Sequence, residues 1–192
     1  MQVIKSNGDT QQFDEHKIEG HIAWASRGLD VDPKTLRDNV TLAFYDGMST
    51  QEIAQGLVVA AGYLISEKTP DYTYVAARLA IQSVYKQVTG GRVVYPSLAD
   101  YLKTGIDIGR IDARLGDSEI FDLTELDTAV QPGRDFQFDY LSIKTLSDRY
   151  LLRNNAGIAE KGRIIEMPQH FLMRVAMGLS INEDDPTFRA KQ

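Results

Sequence analysis

The chain has 192 residues, 27 acidic and 21 basic side chains, a formal net charge of −6 and no cysteine. Because it has no thiols, this chain can carry no disulfide, thiolate metal site, cysteine nucleophile or thiol redox step. Its 43% of hydrophobic and 25% of charged residues are typical of a globular protein. The net negative charge argues against a nucleic-acid partner, which would require an excess of Lys and Arg.

The apolar stretches of the sequence are too short for a membrane protein. The longest of them, GLVVAAGYLI at residues 56–65, has about half of the roughly 20 residues that a membrane-spanning helix needs. The opening MQVIKSNGDT lacks the basic start and apolar core of a signal peptide. We therefore expect a cytoplasmic protein with no membrane partner, and Met1, just before the first predicted strand, is typical of a native start.

The first 30 residues predict a β-hairpin followed by a helix. Two short strand-like segments flank Asn7-Gly8, a pair of residues that tolerates the positive φ angles of a hairpin turn. Asp14 is a suitable N-cap, and the apolar residues that follow it have helical spacing. The pattern predicts a helix over residues 15–27, ended by Gly28 in the left-handed conformation.

Three further helices are predicted before residue 90. Pro33 opens the second helix, and the spacing of Ser49 and Glu52 predicts a capping box at the start of the third. Thr69 is a suitable N-cap, with proline next to it, for a long helix that ends near Gln87. A hairpin and four helices therefore predict a first domain over residues 1–90.

The Gly-Gly and Pro of residues 88–97 mark a boundary, and the pattern changes beyond it. We expect short helices at 98–108 and 143–148, a short hairpin formed by residues 150–153 and 163–166, and a final helix that begins at Pro168. That helix has an apolar face that needs something to pack against. We therefore expect residues 91–192 to be an α-rich second domain that belongs to a larger fold, and the fold class of the whole chain to be mainly α.

Three lysines of the first domain have the placement that an anion would require. Lys5 lies at the end of the first strand, Lys17 lies in the first turn of the first helix, and Lys86 ends the fourth helix. A cation in a first turn opposes the helix dipole, whereas an anion there would meet free N–H groups and the lysine together. Thr50, at the start of the third helix, suits the same role. The alternative is that these are ordinary surface lysines and an ordinary helix start.

Other chemistries lack their patterns. The three histidines, His16, His21 and His170, have no paired metal-ligand spacing, so we expect no metal site. The sequence contains no GxSxG nucleophile elbow, no GxxxxGK[ST] loop and no GxGxxG motif. We therefore assign no catalytic residue.

Several stretches together carry a family resemblance. Residues 3–18, VIKSNGDTQQFDEHKI, resemble the start of an ATP-cone, and FYDGMSTQEI and TPDYTYVAARLAI resemble later parts of that module. DYLSIKTLSDRYLLR and IEMPQHFLMRVAMGL resemble the segment that leads into the catalytic barrel of the large (alpha) subunit of class I ribonucleoside-diphosphate reductase. The chain departs from the usual ATP-cone pattern at Ser6, Asn7 and Gln11.

The resemblance implies a nucleotide-sensing role in deoxyribonucleotide synthesis. ATP or dATP, which Mg²⁺ could accompany, would bind as an allosteric effector at an overall-activity site, with lysines on the phosphates and Ile18 near the base. No catalytic cofactor is implied for this chain. The implied nucleotide contacts are Lys5, Gln11, Gln12, Phe13, Asp14, Glu15, His16, Lys17, Ile18, Thr50 and Lys86.

The resemblance also implies partners. Reductases of this family use a thiyl radical and a redox-active cysteine pair, so the chain would need the remainder of the large subunit, which carries the catalytic cysteines and the α/β barrel. A radical-generating small subunit is the other implied partner, unless the relative is cobalamin-dependent. We therefore expect a split or truncated large subunit that is an enzyme component but is not catalytically competent alone.

Two readings from other classes stay open at this point. The first is a free-standing ATP-cone regulator with no enzymatic role, which the missing zinc-ribbon cysteines and the acidic charge disfavour. The second is a helical interaction domain without a ligand, which failure to bind any nucleotide would support.

Overall fold

A computed structural model describes residues 1–5, 8–41, 44–91, 94–155 and 161–183. Within these ranges the chain is mainly helical, with one small sheet near its start, which confirms the predicted fold class. No helix among the described residues combines the length and the apolar character that a bilayer span requires. The strands are β1 (Gln2–Ile4), β2 (Thr10–Gln12) and β3 (Met48–Ser49), and the helices are α1 (Glu15–Ser26), α2 (Pro33–Thr41), α3 (Thr50–Tyr63), α4 (Tyr72–Thr89), α5 (Leu98–Asp107), α6 (Leu123–Ala129), α7 (Tyr140–Thr145) and α8 (Pro168–Ser180).

The chain divides into two compact units. The first comprises Met1–Ser83 and Phe136–Lys144, and the second comprises Val84–Asp135 and Thr145–Gln192. Short 3₁₀ turns at Ala113–Gly116 and Pro132–Gln137 and a π-helical turn at Leu146–Tyr150 supplement the α-helices.

The sheet of the first unit has three strands in the order β2-β1-β3. β1 and β2 form the predicted antiparallel hairpin, and Gly8 has the positive φ of 87° that the turn requires. Asn7 lies outside the described residues. β3, which the sequence analysis did not predict, pairs in parallel with β1. Its position is fixed by Gln2, whose N–H donates to Asp46 Oδ1 at 2.6 Å and whose carbonyl accepts from Gly47 N at 2.9 Å.

The predicted caps of α1 and α3 are present. Asp14 caps α1 by accepting from His16 N at 3.1 Å, and Gly28 follows the helix with a φ of 75°. Ser49 and Glu52 form the predicted capping box of α3, in which each side chain accepts from the other residue's backbone N–H. These contacts supply partners for N–H groups that a helix leaves unpaired.

The predicted N-cap of α4 is wrong. The hydroxyl of Thr69 donates to the carbonyl of Leu64 at 2.7 Å and hydrogen-bonds Ser66. That hydroxyl therefore closes a local turn and does not cap a helix. Residues 70–71 form another turn, and α4 begins at Tyr72.

The core of the first unit joins the sheet to the helices. Val3 of β1 and Met48 of β3 are 6% and 8% exposed and pack in one apolar cluster with residues of α1 to α4. The helical members of this cluster are Ile18, Ile22, Ala25, Leu36, Val40, Ile53, Leu57, Val58, Ala61, Tyr72, Val75, Ala76 and Leu79.

The second unit differs from its prediction in several elements: α6 and the 3₁₀ turns were not predicted, and the helix expected at 143–148 is replaced by α7 and the π-helical turn. The expected hairpin of residues 150–153 and 163–166 is reduced to a single antiparallel bridge between Arg153 and Ile164. The π-helical turn extends through Tyr150, and this shortens the segment available for pairing. The helix α8 begins at Pro168 as predicted.

Glu166 connects three parts of the second unit. Its fully buried carboxylate accepts from Arg174 Nε at 2.6 Å, from Leu152 N at 2.9 Å and from the hydroxyl of Tyr101. α5, the segment before the Arg153 bridge and α8 are therefore linked through one charged group. A buried carboxylate is tolerated only when its oxygens have such partners.

Arg174→Met should destabilise the protein by about 3–5 kcal/mol, because it leaves the buried Glu166 carboxylate without its cation. Urea unfolding monitored by circular dichroism measures this loss.

The matched control is Arg114→Met, which breaks an exposed ion pair between Arg114 and Asp112, whose side chains are 58% and 49% exposed. An exposed pair of this kind contributes about 0–1 kcal/mol. Equal losses in the two variants would show that the Glu166 cluster does not stabilise the second unit.

Candidate functional site

Two predicted site residues lie at the same end of the sheet. In the parallel pairing Ile4 is opposite Ser49, so the next residues along the two strands are Lys5 and Thr50. Neighbouring strands lie about 4.8 Å apart, which brings the backbones of Lys5 and Thr50 close together. Thr50 is also the first residue of the 14-residue helix α3. A lysine and the N-terminus of a helix therefore meet at this end of the sheet.

The alternation of side chains places Lys5, which is exposed just beyond β1, and Gln11 on the same face of the sheet as Val3. Successive side chains of a strand point to opposite faces, so Lys5 follows the buried Val3 on one face. Gln11 is directly opposite Val3 in the hairpin and shares that face. Gln12 and the 40% exposed Ile4 lie on the other face. The structure therefore separates Gln12 from Lys5 and Gln11.

The first turn of α1 holds a cation that is paired only weakly. Lys17 Nζ lies 3.8 Å from Asp14 Oδ2, and the two side chains are 61% and 41% exposed. His16 is 95% exposed and lies 3.4 Å from Glu19, and Glu15 is exposed as well. Because an exposed ion pair is worth little, an anionic ligand could take the place of Asp14 beside Lys17.

Two of the predicted contacts belong to the core of the first unit. Ile18 is 7% exposed within the apolar cluster, and the ring of Phe13 packs edge-on against Phe44 with ring centres 5.6 Å apart. Both side chains can contact a ligand only where the cluster reaches the surface of the sheet.

The N-terminus of α3 carries a carboxylate that the site must accommodate. Glu52 accepts from Ser49 N at 2.8 Å and from the hydroxyl of Tyr45 at 3.1 Å. Hydrogen bonds from Ser49 and then from Tyr45 lower the pKa of Glu52. The helix itself supplies no partner for the N–H of Gln51, since this residue belongs to its first turn. This donor is available to an anion beside Lys5.

Lys86 belongs to the second unit, where it is exposed in the last turn of α4.

The second unit contains a different cluster of titratable groups that the sequence analysis missed. Asp135 is fully buried and accepts from Tyr85 at 2.7 Å, from Gln169 Nε2 at 3.0 Å and from Tyr95 at 3.3 Å. Burial raises the pKa of Asp135, although its three hydrogen bonds oppose the shift. These contacts hold the start of α8 against the rest of its unit.

His170 adjoins this cluster. Its ring is fully buried, stacks on Tyr101 with ring centres 4.6 Å apart and meets the edge of Tyr95 at 5.1 Å. Neither ring nitrogen has a hydrogen-bond partner among the described residues. Burial lowers the pKa of His170 to about 4, against the opposing charge of Asp127. Perturbed pKa values often mark active sites, but this group is enclosed by side chains that hold α8 in place.

His170 should make the protein sensitive to acid. Below the ordinary histidine pKa of about 6.5 the unfolded chain takes up a proton that the folded chain excludes. The free energy of unfolding should therefore fall by as much as about 1.4 kcal/mol per pH unit as the pH drops from about 6.5 toward about 4, the lowered pKa of His170.

The test compares urea unfolding of the wild type and His170→Phe at pH 7 and pH 5. The other titrating groups, Asp135 included, are common to both proteins, so the difference isolates His170. His16→Phe, at a 95% exposed position, is the control and should keep the acid sensitivity. An equal acid response of the wild type and His170→Phe would contradict the assignment.

No group of three or more His, Asp or Glu side chains is placed to hold a metal ion in the described part of the chain.

Two family descriptions match the sequence. Residues 1–87 match the ATP cone domain, and residues 136–192 match the ribonucleotide reductase, all-alpha domain.

The curated relatives carry one shared name. The ribonucleoside-diphosphate reductase subunit alpha of Helicobacter pylori is 38% identical over 185 residues, which cover 96% of this chain and 22% of that subunit. The alpha subunit of phage T4 is 33% identical over 192 residues, covering 100% of this chain and 24% of the relative. The ribonucleoside-diphosphate reductase 1 subunit alpha of Escherichia coli K12 is 33% identical over 184 residues, which cover 94% of this chain and 23% of that subunit. The chain therefore spans about a fifth to a quarter of the length of these relatives.

Proposed function

Since the chain belongs to the ribonucleotide reductase alpha-subunit family through these two domains, we propose that it is an allosteric component of such an enzyme. Its ATP cone binds ATP or dATP at an overall-activity site and thereby regulates deoxyribonucleotide synthesis. One observation carries the proposal: Lys5 and the N-terminus of α3 meet at one end of a sheet that lies within the residues matched to the ATP cone.

The site offers several donors of positive charge to a polyphosphate. The ammonium of Lys5 is a point charge that suits phosphate oxygens, and the N–H of Gln51 adds the positive end of the α3 dipole. Lys17 supplies a second ammonium at the start of α1. Lys86 lies within the residues matched to the ATP cone, and we include it on that ground.

The length of the sheet favours an extended ligand over a single anion. At one end of the hairpin Gln2 is opposite Gln12, and the chain continues from there into α1. Gln2 is three residues away from Lys5, which lies at the other end. At about 3.3 Å per residue the two ends lie about 10 Å apart. A nucleotide has its phosphates at one end and its base at the other, and can therefore contact both ends of the sheet. Gln11, between them, is a polar group for the ribose or the base.

These 192 residues cannot supply the thiol chemistry of reduction. The resemblance implies a thiyl radical and a cysteine pair, and this chain has no cysteine. We therefore propose that a partner chain with the remainder of the alpha subunit carries the cysteines, and that a radical-generating small subunit completes the enzyme. The part of this chain in the proposal is to bind the effector.

ATP and dATP should each stabilise the full chain against heat, whereas GTP should not. A ligand at 100 times its dissociation constant adds about 2.7 kcal/mol to the free energy of unfolding. Thermal shift with increasing nucleotide concentration measures the effect. Lys5→Ala, Lys17→Ala and Lys86→Ala should each reduce the shift at a fixed nucleotide concentration, because each removes a cation from the proposed phosphate contacts.

Lys34→Ala is the matched control, because Lys34 is an exposed lysine of α2 outside the proposed contacts. It should keep the full nucleotide shift. The proposal fails if no nucleotide stabilises the wild type, or if the four lysine variants respond alike.

A further inference from the structure

α8 carries apolar side chains on two faces. One face packs in the second unit through Phe171, Met173 and Met177. The other face, here called the outer face of α8, consists of Leu172, Val175 and Leu179, which are 47%, 39% and 83% exposed. The spacing of three and four residues aligns these three side chains along one side of the helix.

Such a helix is typical of one that is covered on both sides. Single exposed apolar residues are common on any protein surface, but three large aliphatic side chains within two helical turns form a contiguous patch. The sequence of α8, PQHFLMRVAMGLS, contains no acidic residue. Its one arginine, Arg174, is bound to Glu166 and packs over the ring of Phe171 at 5.5 Å. A partner of the outer face must therefore be apolar.

We propose that the outer face of α8 is the docking surface for the remaining part of a reductase alpha-subunit polypeptide. This inference rests on the proposed function and names the surface by which the partner is bound. The three relatives described above match nearly the whole of this chain with only 22–24% of their own length, so each has more than three quarters of its chain beyond the matched segment. The match to the all-alpha domain covers α8.

A chain that carries the rest of that polypeptide separately must be held by a non-covalent interface. Stable interfaces bury more than about 1,000 Å² in total and have an apolar centre. The outer face of α8 supplies such an apolar centre.

The test uses the full chain and a defined probe. The probe is a monodisperse preparation of the Helicobacter pylori alpha subunit from which the segment matching this chain has been removed. Binding is measured by biolayer interferometry with the wild type and with the combined variant Leu172→Gln, Val175→Gln, Leu179→Gln. Glutamine preserves helix propensity while it removes the apolar surface.

We expect the wild type to bind the probe and the combined variant to bind at least tenfold more weakly. The matched control is Val59→Gln with Tyr63→Gln, at positions of α3 that are 38% and 86% exposed. The control should bind within threefold of the wild type. The combined variant should keep the wild-type circular dichroism and nucleotide shift.

Three results would overturn the docking surface: no binding of the wild type, equal binding of the combined variant, or a wild-type homodimer that the combined variant dissociates. A retained nucleotide shift without probe binding would refute the docking surface and leave the nucleotide site standing. In the opposite case, the wild type binds the probe, only the combined variant loses this binding, and no protein shows a nucleotide shift. That result would support the docking surface and refute the nucleotide site.

Discussion

The first unit depends on the pairing of β1 on both of its edges. β1 has only three residues, yet it is the central strand, antiparallel to β2 and parallel to β3. Its buried Val3 joins the sheet to the apolar cluster of the helices. The parallel register places Thr50 next to Lys5, so the strand that anchors the core also sets the distance between the lysine and the helix N-terminus. The proposed effector site and the core of the first unit therefore depend on the same strand.

The second unit is held by two buried carboxylates at the start of α8. Glu166 connects α8 to α5. Asp135 accepts hydrogen bonds from Gln169 of α8 and from two tyrosines. A buried ion pair adds little net stability over a well-packed apolar replacement, whereas removal of one partner is strongly destabilising. In the helix that these groups hold, His170 and Met177 are buried and Leu172, Val175 and Leu179 are exposed.

Local signals in the sequence were enough to predict much of the fold. Gly8, Asp14 and the Ser49–Glu52 capping box act within a few residues of themselves, so the hairpin turn, the start of α1 and the start of α3 followed from spacing alone. β3 could not be predicted, because two residues are too few for an alternating pattern and its pairing depends on β1, 45 residues earlier. The start of α4 was wrong because Thr69 uses its hydroxyl for a local turn.

The candidate site was predictable in part for the same reason. Lys17 and Thr50 were identified from their places in first turns, and the structure adds that Thr50 adjoins Lys5 while Gln12 lies on the opposite face. That arrangement depends on strand order, which spacing does not encode. The buried cluster of Asp135, Glu166 and His170 was missed. Asp135 and Glu166 are more than 30 residues apart in the sequence, and the members of the cluster become neighbours only through packing.

The central claim is that ATP or dATP binds with its phosphates at the end of the three-stranded sheet where Lys5 adjoins the N-terminus of α3. Amide chemical-shift mapping of the full ¹⁵N-labelled chain during a dATP titration tests it most directly. The account predicts the largest shifts at Lys5, Gln11, Lys17 and Thr50 and a smaller shift at Gln12, which lies on the opposite face. Largest shifts within residues 98–183, or equal shifts at Gln11 and Gln12, would contradict it.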